Sequence, residues 1–254
     1  MDWLHPEQFP ELSYGKVHVW RTSTDQSQPS VRSLYGILGA DECQRADRFY
    51  FEKHRRRFTV ARGVLRRLLG EYLGVSPEAV AFEYSEYGKP SLPNTINPTD
   101  IRFNVSHSNE SALFAFTRQR DVGVDVEHVR SDIDVEALAQ NSFSPREVNA
   151  LLRLPAARRR EAFFNCWTRK EAFIKAHGEG LSLGLDRFDV TLAPGEPAAL
   201  LRFEVDPAEV PLWEMCILDA ADGYKAALAV EGHDWELLCW EYPWTQPFTG
   251  FAVR

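Results

Sequence analysis

The sequence contains no apolar run approaching the roughly 20 residues that span a bilayer. Its start, Met1-Asp2-Trp3-Leu4-His5-Pro6, has no basic flank leading into an apolar segment. These absences argue against a membrane span and a secretory signal, and the expected location is the cytoplasm. Cysteine is scarce: Cys43, Cys166, Cys216 and Cys239 stand apart, with no C-x-x-C pair or metal-ligand spacing. Free, mostly buried thiols are therefore expected. There is no G-x-x-x-x-G-K-[ST] loop and no G-x-G-x-x-G, so any phosphate must be held by side chains and metal and not by a glycine cradle. Net positive charge is also missing. A formal charge of -8 argues against nonspecific nucleic-acid binding and requires that an anionic ligand be met by local clusters of Arg and Lys.

What is present is the composition of a folded protein. Of 254 residues 44% are apolar and 26% charged, enough core for one large domain or two small ones fused. After Gly39-Ala40-Asp41, apolar residues recur at helical spacing through Phe49, Phe58, Val64 and Leu68 to Leu73, and Gly74 and Pro77 end the pattern. Extended segments follow at 80–84 and 101–106, with a Tyr87-Gly88-Lys89-Pro90 turn between them. Residues 112–116 and 122–126 alternate and read as a hairpin. Ser144-Pro145-Arg146-Glu147 is a capping box with proline at the first helical position. Another helix is expected over about 161–177, ended by Gly178 and Gly180, and strands over 188–192, 213–218, 226–230 and 237–240. The order of elements repeats, which predicts an internal duplication with its junction near Gln119. The expected architecture is α+β, with similar halves 1–118 and 119–254 about a pseudo-twofold axis and a ligand cleft between them.

Three clusters carry chemical meaning. In Val122-Gly123-Val124-Asp125-Val126-Glu127-His128, the two carboxylates leave the same face of a strand, opposite the core-facing Val124 and Val126. Two like charges held that close suit a hard cation such as Mg²⁺; the plainer reading is a water-screened strand face. Trp167, Glu171 and Lys175 share one helical stripe, which otherwise reads as an exposed ion pair. In Asn104-Val105-Ser106-His107-Ser108, a hydroxyl and an imidazole follow a strand and suit a phosphate, or else serve as a loop cap and a surface histidine. Arg45, Arg55, Arg56, Arg57, Arg62, Arg66, Arg67 and Lys89 add positive charge, most of it expected on a solvated helix face.

The order Gly88-Lys89-Pro90, Asn104-Val105-Ser106-His107-Ser108, Gly123-Val124-Asp125-Val126-Glu127 and Trp167-x-x-Lys170-Glu171-Ala172-Phe173-Ile174-Lys175 resembles the 4'-phosphopantetheinyl transferases, in their larger, monomeric, surfactin-synthetase-activating (Sfp) type. The resemblance runs over about 41–230. It implies two α+β halves with coenzyme A in their cleft and transfer of its phosphopantetheine arm to a serine of an apo acyl or peptidyl carrier protein, releasing adenosine 3',5'-bisphosphate. It further implies that Asp125, Glu127 and Glu171 hold Mg²⁺ and that Glu171 or Glu127 takes the serine proton. Lys175 would offset pyrophosphate charge, with Lys170 packing or pairing nearby. Ser106, His107, Arg62, Lys89 and, most loosely, Arg45 would contact the phosphates and adenine side of coenzyme A. The same carboxylates would also suit a Mg²⁺-dependent phosphohydrolase, and a silent coenzyme A binding module is the third reading. The segment from Trp240 to Arg254 is expected to pack over the second half.

Overall fold

The computed structural model describes residues 2–244. In chain order the elements are β1 (Lys16–Ser23), α1 (Gln28–Tyr35), α2 (Ala40–Asp47), α3 (Glu52–Leu73), β2 (Glu83–Tyr84), β3 (Pro90–Ser91), β4 (Ile101–Ser108), β5 (Ser111–Arg118), β6 (Val122–His128), α4 (Val135–Ser142), α5 (Pro145–Arg153), α6 (Ala156–His177), β7 (Phe188–Val190), β8 (Leu200–Phe203), β9 (Trp213–Leu218), β10 (Tyr224–Glu231) and β11 (Glu236–Glu241). The fold is a mixed α+β one. Two sheets form its centre, β11-β1-β5-β4 and β6-β10-β9. Between them lies a layer of small branched residues, including Val17, Val19, Leu113, Val124, Val126 and Leu228. The long helices cover the outer faces, α3 over the first sheet and α6 over the second.

Local chemistry sets the ends of these helices. Each runs 22 residues and stops at a glycine in the left-handed region, Gly74 at φ 67° and Gly178 at φ 94°. There the missing Cβ lets the cap N–H reach back to Gly70 or Ile174. The predicted capping box forms: Ser144 Oγ accepts from Glu147 N, and the Glu147 carboxylate accepts from Ser144 N. Among the described residues no helix is long and apolar enough to cross a membrane, and the four cysteines are free.

Four expectations are corrected. The helical pattern over 40–73 is two helices broken at 48–51, where Phe51 takes an extended conformation (φ -96°, ψ 129°). Residues 112–116 and 122–126 are not a hairpin. β5 turns back onto β4 through Asn109 (φ 49°) and pairs on its other edge with β1, while β6 pairs with β10 in the second sheet. The polar turn at 117–121 is a crossing between sheets, and nothing local distinguishes the two. Strand β11 does not stay with the second half: it runs parallel to β1, Leu237 beside Val17 and Cys239 beside Val19. Tyr242 and Trp244 accordingly pack into the core beneath α3. The segment from Trp240 onward thus covers the first half as far as it is described; residues 245–254 lie outside the described residues. Finally, Arg66, one of the cations expected mostly on a solvated helix face, turns inward together with Arg62 to the buried Glu42.

Candidate active site

The site begins with a close approach that only glycine permits. A Cβ on Gly123 would lie 2.0 Å from the carbonyl oxygen of Ala172 and 2.4 Å from the nitrogen of Ala176. With no side chain there, β6 lies directly against α6, so Asp125 and Glu127, which share Gly123's face of the strand, stand beside Glu171 and Lys175. On its other edge β6 meets β4 through side chains in place of a backbone ladder. Asn104 Oδ1 accepts from Val124 N at 3.0 Å. Ser106 Oγ accepts from Val126 N at 3.4 Å and donates to Asp125 Oδ1 at 2.8 Å. Ser108 Oγ accepts from His128 N at 3.1 Å and donates to Glu127 Oε2 at 2.7 Å. Alternate residues of one strand thus join the two sheets and aim two of the carboxylates. The same period-two geometry turns His107 the opposite way, exposed toward the neighbouring pocket.

Asp125 is 2% exposed. Its Oδ1 accepts from Lys175 Nζ at 2.6 Å, and that ammonium also donates to Ser106 Oγ at 3.0 Å. Its Oδ2 is buried and has no hydrogen-bond partner among the described residues. Burial, and after it the charge of Asp125, pushes the carboxyls of both Glu127 and Glu171 above the ordinary carboxylate range, with Lys175 opposing. The three carboxylates therefore feel one another across the junction of β6 and α6. Among the described residues no three acidic, imidazole or thiol groups are gathered closely enough to hold a metal ion. By type alone the donors suit a hard cation: all are carboxylate oxygens, and Asp125 Oδ2 is buried without a hydrogen-bond partner among the described residues.

Beside this cluster opens a pocket of about 530 Å³, with Arg45, Arg62, His107 and Lys175 in its walls. Arg62 is held in place by Glu42, by Tyr84 Oη at 2.9 Å and by the Phe82 ring, whose centroid lies 4.0 Å away. Arg45 lies over the Phe58 ring at 5.2 Å. The imidazole of His107 is held below its ordinary pKa, first by the enclosing walls and then by the cations Lys175, Arg45 and Arg57. Lys89 is not brought into this pocket. Its ammonium donates to the Ala176 carbonyl at 2.6 Å and pairs with Asp121 at 3.4 Å, facing a neighbouring pocket shared with Arg102 and His177. Burial lowers its pKa, with Asp121 opposing. Lys170, as expected, pairs nearby, with Glu147 at 2.8 Å. Glu42, Gly123 and Ser108 were not singled out from the sequence. Ser108 follows Ser106 on one strand face, a readable signal, whereas Glu42 gave only its place three residues after Gly39.

A cationic wall on one side and an acidic, oxygen-only cluster on the other, at the seam of an α+β fold, form a site of the class suited to an anionic ligand. The comparisons make the class specific. The profile of the 4'-phosphopantetheinyl transferase superfamily matches residues 121–229, and that of the 4'-phosphopantetheinyl transferase N-terminal domain matches 18–119. The chain is 40% identical over 240 residues to the 4'-phosphopantetheinyl transferase HetI of Nostoc sp. (strain PCC 7120), covering 94% of this chain and 98% of that one. It is 29% identical over 209 residues to the 4'-phosphopantetheinyl transferase Sfp of Bacillus subtilis (strain 168), covering 82% and 88%. A putative 4'-phosphopantetheinyl transferase of Synechocystis sp. (strain PCC 6803) matches at 30% over 197 residues, 78% of this chain and 77% of that one. The chain belongs to the 4'-phosphopantetheinyl transferase superfamily.

Proposed function

We propose that the protein transfers the 4'-phosphopantetheine arm of coenzyme A to a serine of an apo carrier protein and releases adenosine 3',5'-bisphosphate, with Asp125, Glu127 and Glu171 holding Mg²⁺. The observation that carries the reading is the buried, partnerless Oδ2 of Asp125 beside two carboxyls of raised pKa, at the edge of a cation-walled pocket. Bound there, Mg²⁺ would supply charge neutralisation at the pyrophosphate.

The chain's own residues divide the remaining work. Arg62, His107 and Arg45 line the pocket that takes the phosphate and adenine side of coenzyme A, and Lys175 stands between that pocket and Asp125. Ser106 has one proton, which goes to Asp125, so its part is to orient that carboxylate. Lys89 steadies the end of α6 from outside the pocket, a smaller part than phosphate contact. Glu127 already accepts from Ser108, while Glu171 has no hydrogen-bond donor recorded among the described residues. Glu171 is therefore the better placed to accept the serine proton, and its raised pKa suits a base. On this reading the two halves meet at the pocket: residues between 41 and 107 supply most of its lining and Lys175 of α6 completes it, while β11 crosses back to the first half.

The test is to mix the protein with Mg²⁺, coenzyme A and several apo carrier proteins and to weigh the carriers by mass spectrometry. A gain of one phosphopantetheine on serine is expected, lost on chelation and restored by Mg²⁺. Asp125→Ala and Glu171→Ala should each lower the rate by about a thousandfold with the fold intact. Phosphate release from nucleotides without any carrier would instead indicate a hydrolase.

A further inference from the structure

The pocket wall continues outward into an exposed strip. Residues 47–54, joining α2 to α3, are exposed without interruption. Three successive aromatics among them, Phe49, Tyr50 and Phe51, are 36%, 92% and 56% exposed. Their rings are nonetheless ordered into a chain. Tyr50 meets Phe51 edge-on at 4.9 Å, Phe51 and Phe49 flank His54 at 5.9 and 6.5 Å, and Phe49 meets Phe58 at 5.6 Å. Phe58 is itself part of the pocket wall.

Charge follows the same path. From Arg45 to Arg57 there are six cationic side chains, Arg45, Arg48, Lys53, Arg55, Arg56 and Arg57, against the carboxylates of Asp47 and Glu52, in a chain of formal charge -8. Both of those carboxylates are drawn to Arg55, at 4.0 and 2.9 Å. Among the described residues Arg45, Arg48, Lys53 and Arg57 have no recorded carboxylate partner within 4.0 Å. The strip also adjoins the acidic cluster: Arg57 donates to Asn109 Oδ1, in the turn after Ser108, which holds Glu127.

We propose that this basic, aromatic strip is the docking surface for the carrier, an acidic carrier domain that lays carboxylates across residues 45–57 and so presents its serine at the cleft. The proposal rests on the transferase reading above. Long-range attraction would come from the unpaired cations and contact area from the aromatics, which lose little side-chain freedom on binding. An acidic partner is favoured because an otherwise acidic protein repels it everywhere else.

Initial rates test this, measured against apo carrier at saturating coenzyme A and against coenzyme A at saturating carrier. In an Arg48→Glu/Lys53→Glu variant the KM for carrier should rise about ten-fold or more, and in Tyr50→Ala several-fold, with kcat and the KM for coenzyme A within two-fold of wild type. Added salt should raise the wild-type KM for carrier more steeply than that of the double variant. A wild type that modifies carriers normally, with variants of unchanged carrier KM, overturns the docking proposal and leaves the transferase reading standing. A wild type that modifies no carrier overturns the reading itself. Variants that lose a wild-type dimer by sedimentation while keeping the carrier KM would give the strip to a second copy of the chain, which also overturns the proposal.

Discussion

Both long helices bury a cation against a glutamate that stands in the first turn of a short helix before them, yet the two clips are tied differently. In the first half Glu42 of α2 takes both Arg66 and Arg62 of α3, and Arg66 also donates to the carbonyls of Pro77 and Val80 at 3.0 and 2.9 Å. In the second half Glu147 of α5 takes Lys170 of α6 at 2.8 Å, and Lys170 spends its other donors on the carbonyls of Leu185 and Phe188. Glu147 in turn accepts from Ser144 N and Val190 N. Glu42 gives one oxygen to each arginine, and the second of them, Arg62, reaches the pocket. An ammonium's three donors are all consumed inside. The first clip thus holds a binding wall as well as a helix. The second is entirely internal.

The largest effect should come from breaking the internal clip. Glu147→Ala leaves Lys170, fully enclosed, without a countercharge, a loss of about 3–5 kcal/mol. Urea unfolding should show this as a lower midpoint. The paired replacement Glu147→Leu/Lys170→Met should recover part of it, because no charge is then buried although the amides of Ser144 and Val190 lose their acceptor. A single variant as stable as wild type would show that the clip contributes nothing.

Acid offers a second way to separate the halves, since the first sheet buries an imidazole. Tyr72 Oη accepts from Trp20 Nε1 and lies 2.8 Å from His18 Nδ1, which holds the imidazole inside the sheet. Burial, then Lys16, lowers the His18 pKa to about 4. The unfolded chain takes up the proton near 6.5 and the folded one only near 4. Stability from this group is therefore full above pH 6.5 and falls by about 3 kcal/mol as pH drops to 4. His18→Phe should flatten that part of the pH profile of unfolding; an unchanged slope would assign the acid sensitivity elsewhere.

The parts of this molecule legible in its sequence are those fixed locally. The capping box at Ser144, the glycine stops at Gly74 and Gly178 and the shared face of Asp125 and Glu127 all follow from spacings of two to four residues. What stayed hidden depends on partners far along the chain. Strand β1 lies between β5 and β11, so His18 and Trp20 are as buried as Val17 and Val19, and no polar alternation marks the strand. Strand β11 shows nothing in its own residues that chooses β1 over β10. Arg66 reads from the sequence as one of the solvated cations because the carboxylate it shares with Arg62 comes from another helix. Lys89 sits in the expected motif, yet the end of α6 claims its ammonium.

The smallest effect, and the one that ties stability to binding, concerns the first clip. Glu42→Ala removes one of several partners of Arg66, which keeps its two carbonyls, and lets Arg62 swing toward the pocket's solvent, so the cost should be about 2 kcal/mol, below that of Glu147→Ala. Arg62 would keep only Tyr84 and the Phe82 ring to hold it. Under the transferase reading, the KM for coenzyme A should then rise about ten-fold, some 1.4 kcal/mol, with the KM for carrier unchanged. The apolar pair Glu42→Leu/Arg66→Met should recover at most part of the stability and none of that KM, because the carbonyls of Pro77 and Val80 lose their donor and Arg62 remains unheld. The corresponding pair in the second half should leave that KM unchanged, because neither Glu147 nor Lys170 lines the pocket. Recovery of coenzyme A binding by the first-half pair would show that Glu42 positions nothing in the pocket and that the two clips are equivalent scaffolding.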